Sequence, residues 1–304
     1  MTDYILLKKS QVPLFKDIPF FYKTANKEYH LYKKKGDYLD DGRLSSGNHP
    51  NLYILDTDRE KAMIELTKAL NKDLAKKVSE GRLREVRQAL TNIVNEALTP
   101  GQEKNINSLP ETVEILMGRY GKDHSAMAML TQIGSNSSVL IEHTVNVTAL
   151  VLQYCFFHGL SETDTQQLSM AALLHDIGCA KIEKKLVETT KRLTDKQFET
   201  YTTHPMLGHG TIIENANFDM AIPTVVMEHH ERLDGSGYPK GLNRISSYGQ
   251  LIGLIDSYES LTYRSKIFRK KKKPYESLSI IKDEIYEKKF AKELFKKFTA
   301  CLTR

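Results

Sequence analysis

Apolar residues recur every three or four positions from Thr57 to about Leu98, in DREKAMIELTKALNKDLAKKV and then RLREVRQALTNIVNEAL. That spacing gives a helix one greasy face and predicts amphipathic helices here. The stretch before it is different. YILLKKSQVPLF, YHLYKKKGDYL and NLYILD are short, rich in Tyr, Leu and Ile, and separated by Pro, Gly, Asn and Asp. They predict short strands joined by turns. Pro100-Gly101 is a break. Beyond it nearly every segment reads as helix, including SSVLIEHTVNVTALVLQYCFFHG, ETDTQQLSMAALLHD, AIPTVVMEHHE and YGQLIGLIDSYESLTYR. The last of them, YESLSIIKDEIYEKKFAKELFKKF, is taken as one segment. Thr194, Pro223 and Gly159 stand where helix starts and ends want them. The expected fold is mainly α: a small mixed α/β domain with connecting helices over residues 1–98, regulatory or docking in role, then a helical bundle over 99–304.

A length of 304 residues allows about two domains, each able to bury a core. With 40% hydrophobic and 27% charged residues the chain is of globular composition. The longest greasy stretch, Val145–Phe157, is interrupted by Asn146, Thr148 and Gln153 and falls short of the ~20 residues of a membrane span. The opening residues lack the layout of a signal peptide. Three widely spaced cysteines, Cys155, Cys179 and Cys301, fit neither a disulfide framework nor a paired-cysteine zinc site and suit a reducing cytoplasm. The net charge of +6 is uneven: residues 264–273 (RSKIFRKKKK) hold seven basic residues and no acid, and the rest of the chain is close to neutral. Such a run is a solvated loop or a contact for a phosphate-bearing ligand. No DNA-reading motif accompanies it, which makes nucleic acid an unlikely partner.

Seven of the ten histidines fall between positions 143 and 230. One histidine on a helix is usually a core or surface residue; a cluster is another matter. His175-Asp176 follows the apolar run MAALL, and His229-His230 follows IPTVVM with only Glu228 between. Burying imidazoles with a carboxylate is costly unless they are hydrogen-bonded or hold a cation. Imidazole nitrogens and carboxylate oxygens are the ligand set of Zn, Fe and Mn. His143 and Asp256 each interrupt a greasy helix, and both are candidate ligands. After the histidine pair, HHERLDGSGYPKGL has the Gly and Pro content of a tight loop, a candidate substrate wall.

HDIG at 175–178 and HHERLDGSGYPKG at 229–241 resemble the two defining motifs of the HD-GYP family, a branch of the HD metal-dependent phosphohydrolases. The likeness runs from about Ser137 to Tyr275; LTDKQFETYTTHPMLG and LIGLIDSYESLT agree with it. It implies a helical HD-type domain holding two or three divalent transition metals, usually iron or manganese. It also implies hydrolysis of cyclic di-GMP to pGpG or GMP in bacterial second-messenger signalling. Carried over, the metal ligands are His143, His175, Asp176, His204, His229, His230 and Asp256. Asp176 bridges two metals, and His175 and Asp176 are the catalytic pair. Gly237, Tyr238 and Pro239 flank the substrate. Two metals ~3.5–4 Å apart can acidify a water and neutralise phosphoryl charge, so that a hydroxide held between them attacks phosphorus in line.

The chain departs from the family pattern in places. Val139 stands where some members place a third-metal Glu, which predicts a two-metal site. Cys179 replaces the Lys that follows HDIG, leaving Lys181 nearest. Glu259 replaces an Asp, and an Arg-Pro-Tyr is split by the basic run, leaving either Arg264 or a lysine of the run, such as Lys273, to meet phosphate. The expected activity is a cyclic-dinucleotide phosphodiesterase, slow or degenerate. The alternatives are a sensor or protein-docking module working through the GYP loop, or an HD phosphohydrolase acting on another nucleotide.

Overall fold

A computed structural model describes residues 3–37, 48–134, 137–263, 267 and 269–303. It divides into two compact units, Met1–Ala75 and Lys76–Arg304.

The first unit carries four short strands: β1 (Tyr4–Leu6), β2 (Phe20–Lys23), β3 (Tyr29–Lys33) and β4 (Leu52–Leu55). They form one antiparallel sheet in the order β1-β4-β2-β3. Ile5 pairs with Ile54 and Phe21 with Tyr53, and the β2–β3 register shifts between Phe20 and Phe21. Phe20, Leu52 and Ile54 are buried. Helix α1 (Arg59–Glu80) follows, and its Ala62, Leu66, Leu70 and Leu74 form a buried stripe at a spacing of four. Glu65 of α1 accepts the backbone N–H groups of Lys16 and Asp17. The amine of Lys33 is buried and donates to the carbonyls of Lys16 and Ile18, at 2.6 and 2.9 Å. Burial pushes its pKa down.

The second unit is helical: α2 (Leu83–Ala97), α3 (Leu109–Tyr120), α4 (His124–Gln132), α5 (Val139–His158), α6 (Glu162–Leu174), α7 (Lys184–Val187), α8 (Asp195–Tyr201), α9 (His204–Asn215), α10 (Ala221–Glu228), α11 (Ser247–Tyr263), α12 (Pro274–Tyr286) and α13 (Lys292–Leu302). α5 is the axis, packed against α2, α4, α6, α11 and α13. That explains its sequence: a helix apolar on every side has neighbours on every side. Ser138 caps it by accepting from Ile141 N, and Gly159 ends it in the left-handed region at φ 59°. At 20 residues α5 is long and apolar enough to cross a bilayer by length and composition, which amends the expectation of no such stretch. Most of it lies inside the protein.

The C-terminal segment taken as one helix is two. α12 stops at Tyr286, Lys288 turns left-handed at φ 62°, and α13 starts at Lys292. Between them Phe290 is buried and lies under the Arg232 guanidinium, 4.5 Å from its ring centre, while Lys289 O accepts from Leu233 N. Seating Phe290 breaks the helix, a tertiary requirement that local periodicity does not carry.

Candidate metal centre

The residues singled out at 175–176, 204, 229–230, 143 and 256 sit at or near the ends of buried helices, or within them. α6 ends at Leu174, so His175 is its C-cap and Asp176 opens a 3-10 turn over Ile177–Lys181. His204 is the first residue of α9, with Pro205 behind it, and His229 caps α10. His143 is on α5 and Asp256 on α11. The close approach of these elements needs bare backbone at two places. A Cβ on Gly178 would stand 2.0 Å from His204 O, and one on Gly253 would stand 2.2 Å from His229 O.

The side chains converge. His175, His204 and His229 are fully buried, and His143, Asp176 and Asp256 nearly so. They form two sets, Asp176 with His204, His229 and His230, and His143 with His175 and Asp256. In each set the candidate ligand atoms lie within 4.8 Å of one another. Asp176 serves both. Its Oδ1 lies 3.2 Å from His204 Nε2 and 3.9 Å from His229 Nε2. Its Oδ2 lies 3.5 Å from His175 Nε2 and 3.6 Å from His143 Nε2. Asp256 also spans, with Oδ1 3.0 Å from His143 Nε2 and Oδ2 3.6 Å from His230 Nδ1.

The outer nitrogens decide what the inner ones can do. Nδ1 of His175, His204 and His229 each donates to a backbone carbonyl, of Ala172, Tyr201 and Val226, all at 2.8 Å. His143 Nδ1 donates to Glu259 Oε2 at 2.5 Å. Carbonyl and carboxylate oxygens accept, so in each of those rings, when neutral, the proton sits on Nδ1 and Nε2 presents a bare lone pair. Yet His143 and His175 bring their Nε2 atoms to 3.1 Å, and His204 and His229 to 3.3 Å. Two lone pairs cannot bond to each other. Paired acceptors buried this way fit a cation between them, and nitrogen and carboxylate donors suit a divalent transition metal. The anchoring of each outer N–H is the support that metal-ligating histidines require.

Electrostatics point the same way. Burial pushes the pKa values of His204, His229 and His230 down, that of His229 to about 3, with neighbouring imidazoles adding to it. Burial alone would raise Asp176, but the positive charge that His175, His204, His143 and His229 carry when protonated outweighs it and holds the carboxyl well below the usual range. Asp256 is likewise held low, against burial, by His143, whose Nε2 lies 3.0 Å from its Oδ1, and by His230. Neutral imidazoles and ionised carboxylates are the ligand-ready state.

The loop after the histidine pair is braced from beneath. Glu231, buried, accepts from the N–H groups of Lys240 and Leu242, at 2.7 and 2.8 Å. Gly237 passes so close to Glu231 and Arg232 that a Cβ would meet their backbones at 2.4 Å. Tyr238 lays its ring 4.5 Å from that of His230, and Pro239 follows a cis peptide bond. Lys181 is exposed at the end of the 3-10 turn; Lys273 is exposed at the N-cap of α12. Arg264 lies outside the described residues. Cys179 is buried with its Sγ 3.8 Å from Asp176 Oδ1. Val139 is half exposed at the start of α5, and Glu142 pairs with Arg87.

Sequence reasoning missed the work of three residues. Glu259 was noted only as a replacement, but it holds His143 with one oxygen and accepts from Asn146 with the other at 2.8 Å. Its place three residues after Asp256, on the same helix face, was the available signal. Asn146 stands three after His143 in the same way. Arg232 donates to His229 O, Glu231 O and Ser257 Oγ, tying the histidine pair to α11.

The HD domain family profile matches residues 128–294, more than half of the chain. The chain belongs to the HD domain family. The HD-GYP resemblance holds within it: this HD domain is 28% identical over 164 residues to the cyclic di-GMP phosphodiesterase PA4108 of Pseudomonas aeruginosa, covering 53% of this chain and 40% of that protein. It is 33% identical over 159 residues to the cyclic di-GMP phosphodiesterase PdeB of Borreliella burgdorferi, covering 51% and 41%. The chain thus spans about two fifths of the length of these relatives. The fold as a whole matches the solved structure of Bd1817, an HDG"Y"P protein from Bdellovibrio bacteriovorus, with a TM-score of 0.62, 19% identity and coverage of 99% and 100%.

Proposed function

We propose that this chain hydrolyses a phosphodiester bond of a cyclic dinucleotide, cyclic di-GMP to pGpG or GMP, in bacterial second-messenger signalling in the cytoplasm. Residues 99–304 would carry the reaction, and residues 1–98 would be regulatory or docking. One observation carries the proposal: Asp176 presents one carboxylate oxygen to each of two pairs of lone-pair-bearing imidazoles. The names of the relatives supply the substrate class.

His143, His175, Asp176, His204, His229, His230 and Asp256 would hold two ions, iron or manganese. Such ions supply acidification of water and charge neutralisation on the phosphoryl oxygens. The protein's own part is positioning. Carbonyls of Ala172, Tyr201 and Val226 and the Glu259 carboxylate keep four ring protons on Nδ1, so the inward nitrogens stay basic. The Tyr238 ring covers His230 and keeps water off that side. Burial pushes the Tyr238 hydroxyl well up, so it stays protonated as a donor at neutral pH.

A second reading, binding of the dinucleotide or of a signalling protein through the GYP loop without turnover, is favoured by Cys179. A buried thiol beside Asp176 cannot bring a positive charge to phosphate. Metal analysis of the purified protein, joined to a cyclic di-GMP hydrolysis assay under anaerobic, iron-reconstituted conditions, separates the two. Two metal equivalents with product support the enzyme, two equivalents with binding but no product support the second reading, and no stoichiometric metal defeats the hydrolytic proposal.

A further inference from the structure

The two ligand sets of the centre are not equivalent. In the set of His143, His175 and Asp256, the outer nitrogen of His143 donates to a carboxylate, Glu259 Oε2, at 2.5 Å. That carboxylate is buried and is held in turn by Asn146 at 2.8 Å. In the set of Asp176, His204, His229 and His230, the outer nitrogens of His204 and His229 donate to backbone carbonyls. A carboxylate behind an imidazole makes it the more basic ligand, and negative charge around a site raises its affinity for a divalent ion. Asp256 leans the same way: its Oδ1 is 3.0 Å from His143 Nε2, while its Oδ2 is 3.6 Å from His230 Nδ1.

Two further features weaken the second set. Asp176 Oδ1, the oxygen that faces His204 and His229, accepts from the buried Cys179 thiol at 3.8 Å. A proton shared with that oxygen competes with a cation for its lone pairs. The oxygen that faces His175 and His143 is the other one, Oδ2. The side chain of His230 is 14% exposed, against 2% or less for the other four rings, and among the described residues no hydrogen bond fixes its ring. A ligand that can turn, with water at hand to replace it, gives an ion a way in and out.

We propose that this chain holds its two ions unequally: His143, His175 and Asp256, backed by Glu259, retain a resident ion, while Asp176 Oδ1, His204, His229 and His230 hold an exchangeable one. Cys179 is a positioning residue, acting through Asp176 to keep the second set weak. This rests on the two-metal phosphodiesterase reading and adds its regulation. Hydrolysis follows the concentration of free divalent metal, while the resident ion stays bound throughout.

The test is titration of the metal-free full chain with Mn2+ under anaerobic, reducing conditions, following free Mn2+ by its paramagnetic resonance and the heat of binding by calorimetry. Two steps of one equivalent each are expected, with dissociation constants about 10- to 100-fold apart. Cys179→Ala should tighten the second step about 3- to 10-fold and leave the first in place, a gain that a merely structural role does not produce. Cys179→Ser, which restores a donor, should return the second step to its wild-type weakness. Glu259→Gln should weaken the first step about 10- to 100-fold and bring the two together. A single step for both equivalents in the wild type, or a second step that Cys179→Ala leaves unchanged or weakens, overturns the unequal centre. Two unequal steps in a protein that yields no product from cyclic di-GMP at either stage defeat the phosphodiesterase reading and leave the unequal centre standing. Hydrolysis by a protein that takes up both equivalents in one step does the reverse.

Discussion

The metal centre and the basic wall, where the loop carrying Lys271, Lys272 and Lys273 meets the loop carrying Lys191 and Arg192, belong to one helical unit and are built on opposite plans. Every imidazole of the centre except His230 has its outer nitrogen tied to a carbonyl or carboxylate, and the rings are buried to the last few per cent. The wall is made of long cationic side chains on loops, joined among the described residues by the backbone hydrogen bond from Ile267 to Thr190, with Lys271 and Lys273 exposed. Rigid support suits groups that must meet a small ion at set distances; mobile charges suit a diffuse polyanion. The contrast implies that single changes in the centre act all or none, while changes in the wall act by degrees.

Asp176→Asn attacks the centre at the one group both ligand sets share. The amide has the same shape but no charge, and its N–H2 can donate to the facing Nε2 atoms. The variant is expected to fold as well as the wild type when metal-free, to lose both metal equivalents, and to lose about 10^3-fold or more in hydrolysis. Elemental analysis beside chemical denaturation checks it, and retention of two equivalents would remove Asp176 from the bridge. Next in size is Gly178→Ala. The added methyl meets His204 O at 2.0 Å, and a backbone carbonyl has nowhere to rotate. About 3 kcal/mol of stability should go, read from the denaturation midpoint, with metal affinity falling as His204 is displaced.

The centre was far more legible in the sequence than the wall, for a physical reason. Ligands placed at helix ends leave a mark: HD after MAALL and HH after IPTVVM are polar pairs closing apolar runs. All seven proposed ligands, read from such marks and from family likeness, are brought together. Strands β1, β3 and β4 were readable from composition and turn residues, β2 (Phe20–Lys23) was not singled out, and nearly all helices were readable by period. Support residues such as Glu259 and Asn146 were harder to read: their spacing of three from Asp256 and His143 marks a shared face, but not which ring the carboxylate reaches across 116 positions of chain. The meeting of the loops that carry Lys191 and Lys271 was invisible too, because it depends on a backbone hydrogen bond between Ile267 and Thr190. The break at Lys288 was hidden in a sequence that is helical by pattern; the demand comes from where Phe290 must sit.

Acid should loosen the centre in the metal-free protein. The folded-state pKa of His229 is about 3, lowered by burial first and then by His175 and His204, against 6.5 for a free ring. Between those values the unfolded chain binds a proton that the folded chain does not, so stability falls as pH drops through the window. Asp176 and Asp256, held low, add a loss in the same direction at its acid end. With about 1.4 kcal/mol per pKa unit, the unfolding free energy read from chemical denaturation should decline by a few kcal/mol in all from pH ~6.5 downward. A flat profile would mean the rings are charged in the folded state, and the lone-pair argument would fail. Glu259→Gln is a gentler probe. The amide keeps one acceptor for His143 but sets an N–H2 against either His143 Nδ1–H or Asn146 Nδ2, so metal affinity should fall about 10- to 100-fold with both equivalents retained at saturation.

The smallest expected effect tests whether the rigidity of the centre depends on its glycines in general or on two of them. Gly210 is on α9, the helix that His204 opens, and a Cβ there would meet nothing within 4 Å. Glycine in a helix interior costs up to about 1 kcal/mol relative to alanine, because more backbone freedom is lost on folding. Gly210→Ala should therefore raise stability by that amount and leave metal affinity unchanged, six residues away from where Gly178 admits His204. Were Gly210→Ala to weaken metal binding as Gly178→Ala does, α9 would have to bend to hold its histidine. The distinction between a rigid centre and a yielding wall would then fail on the helix where it is drawn most sharply.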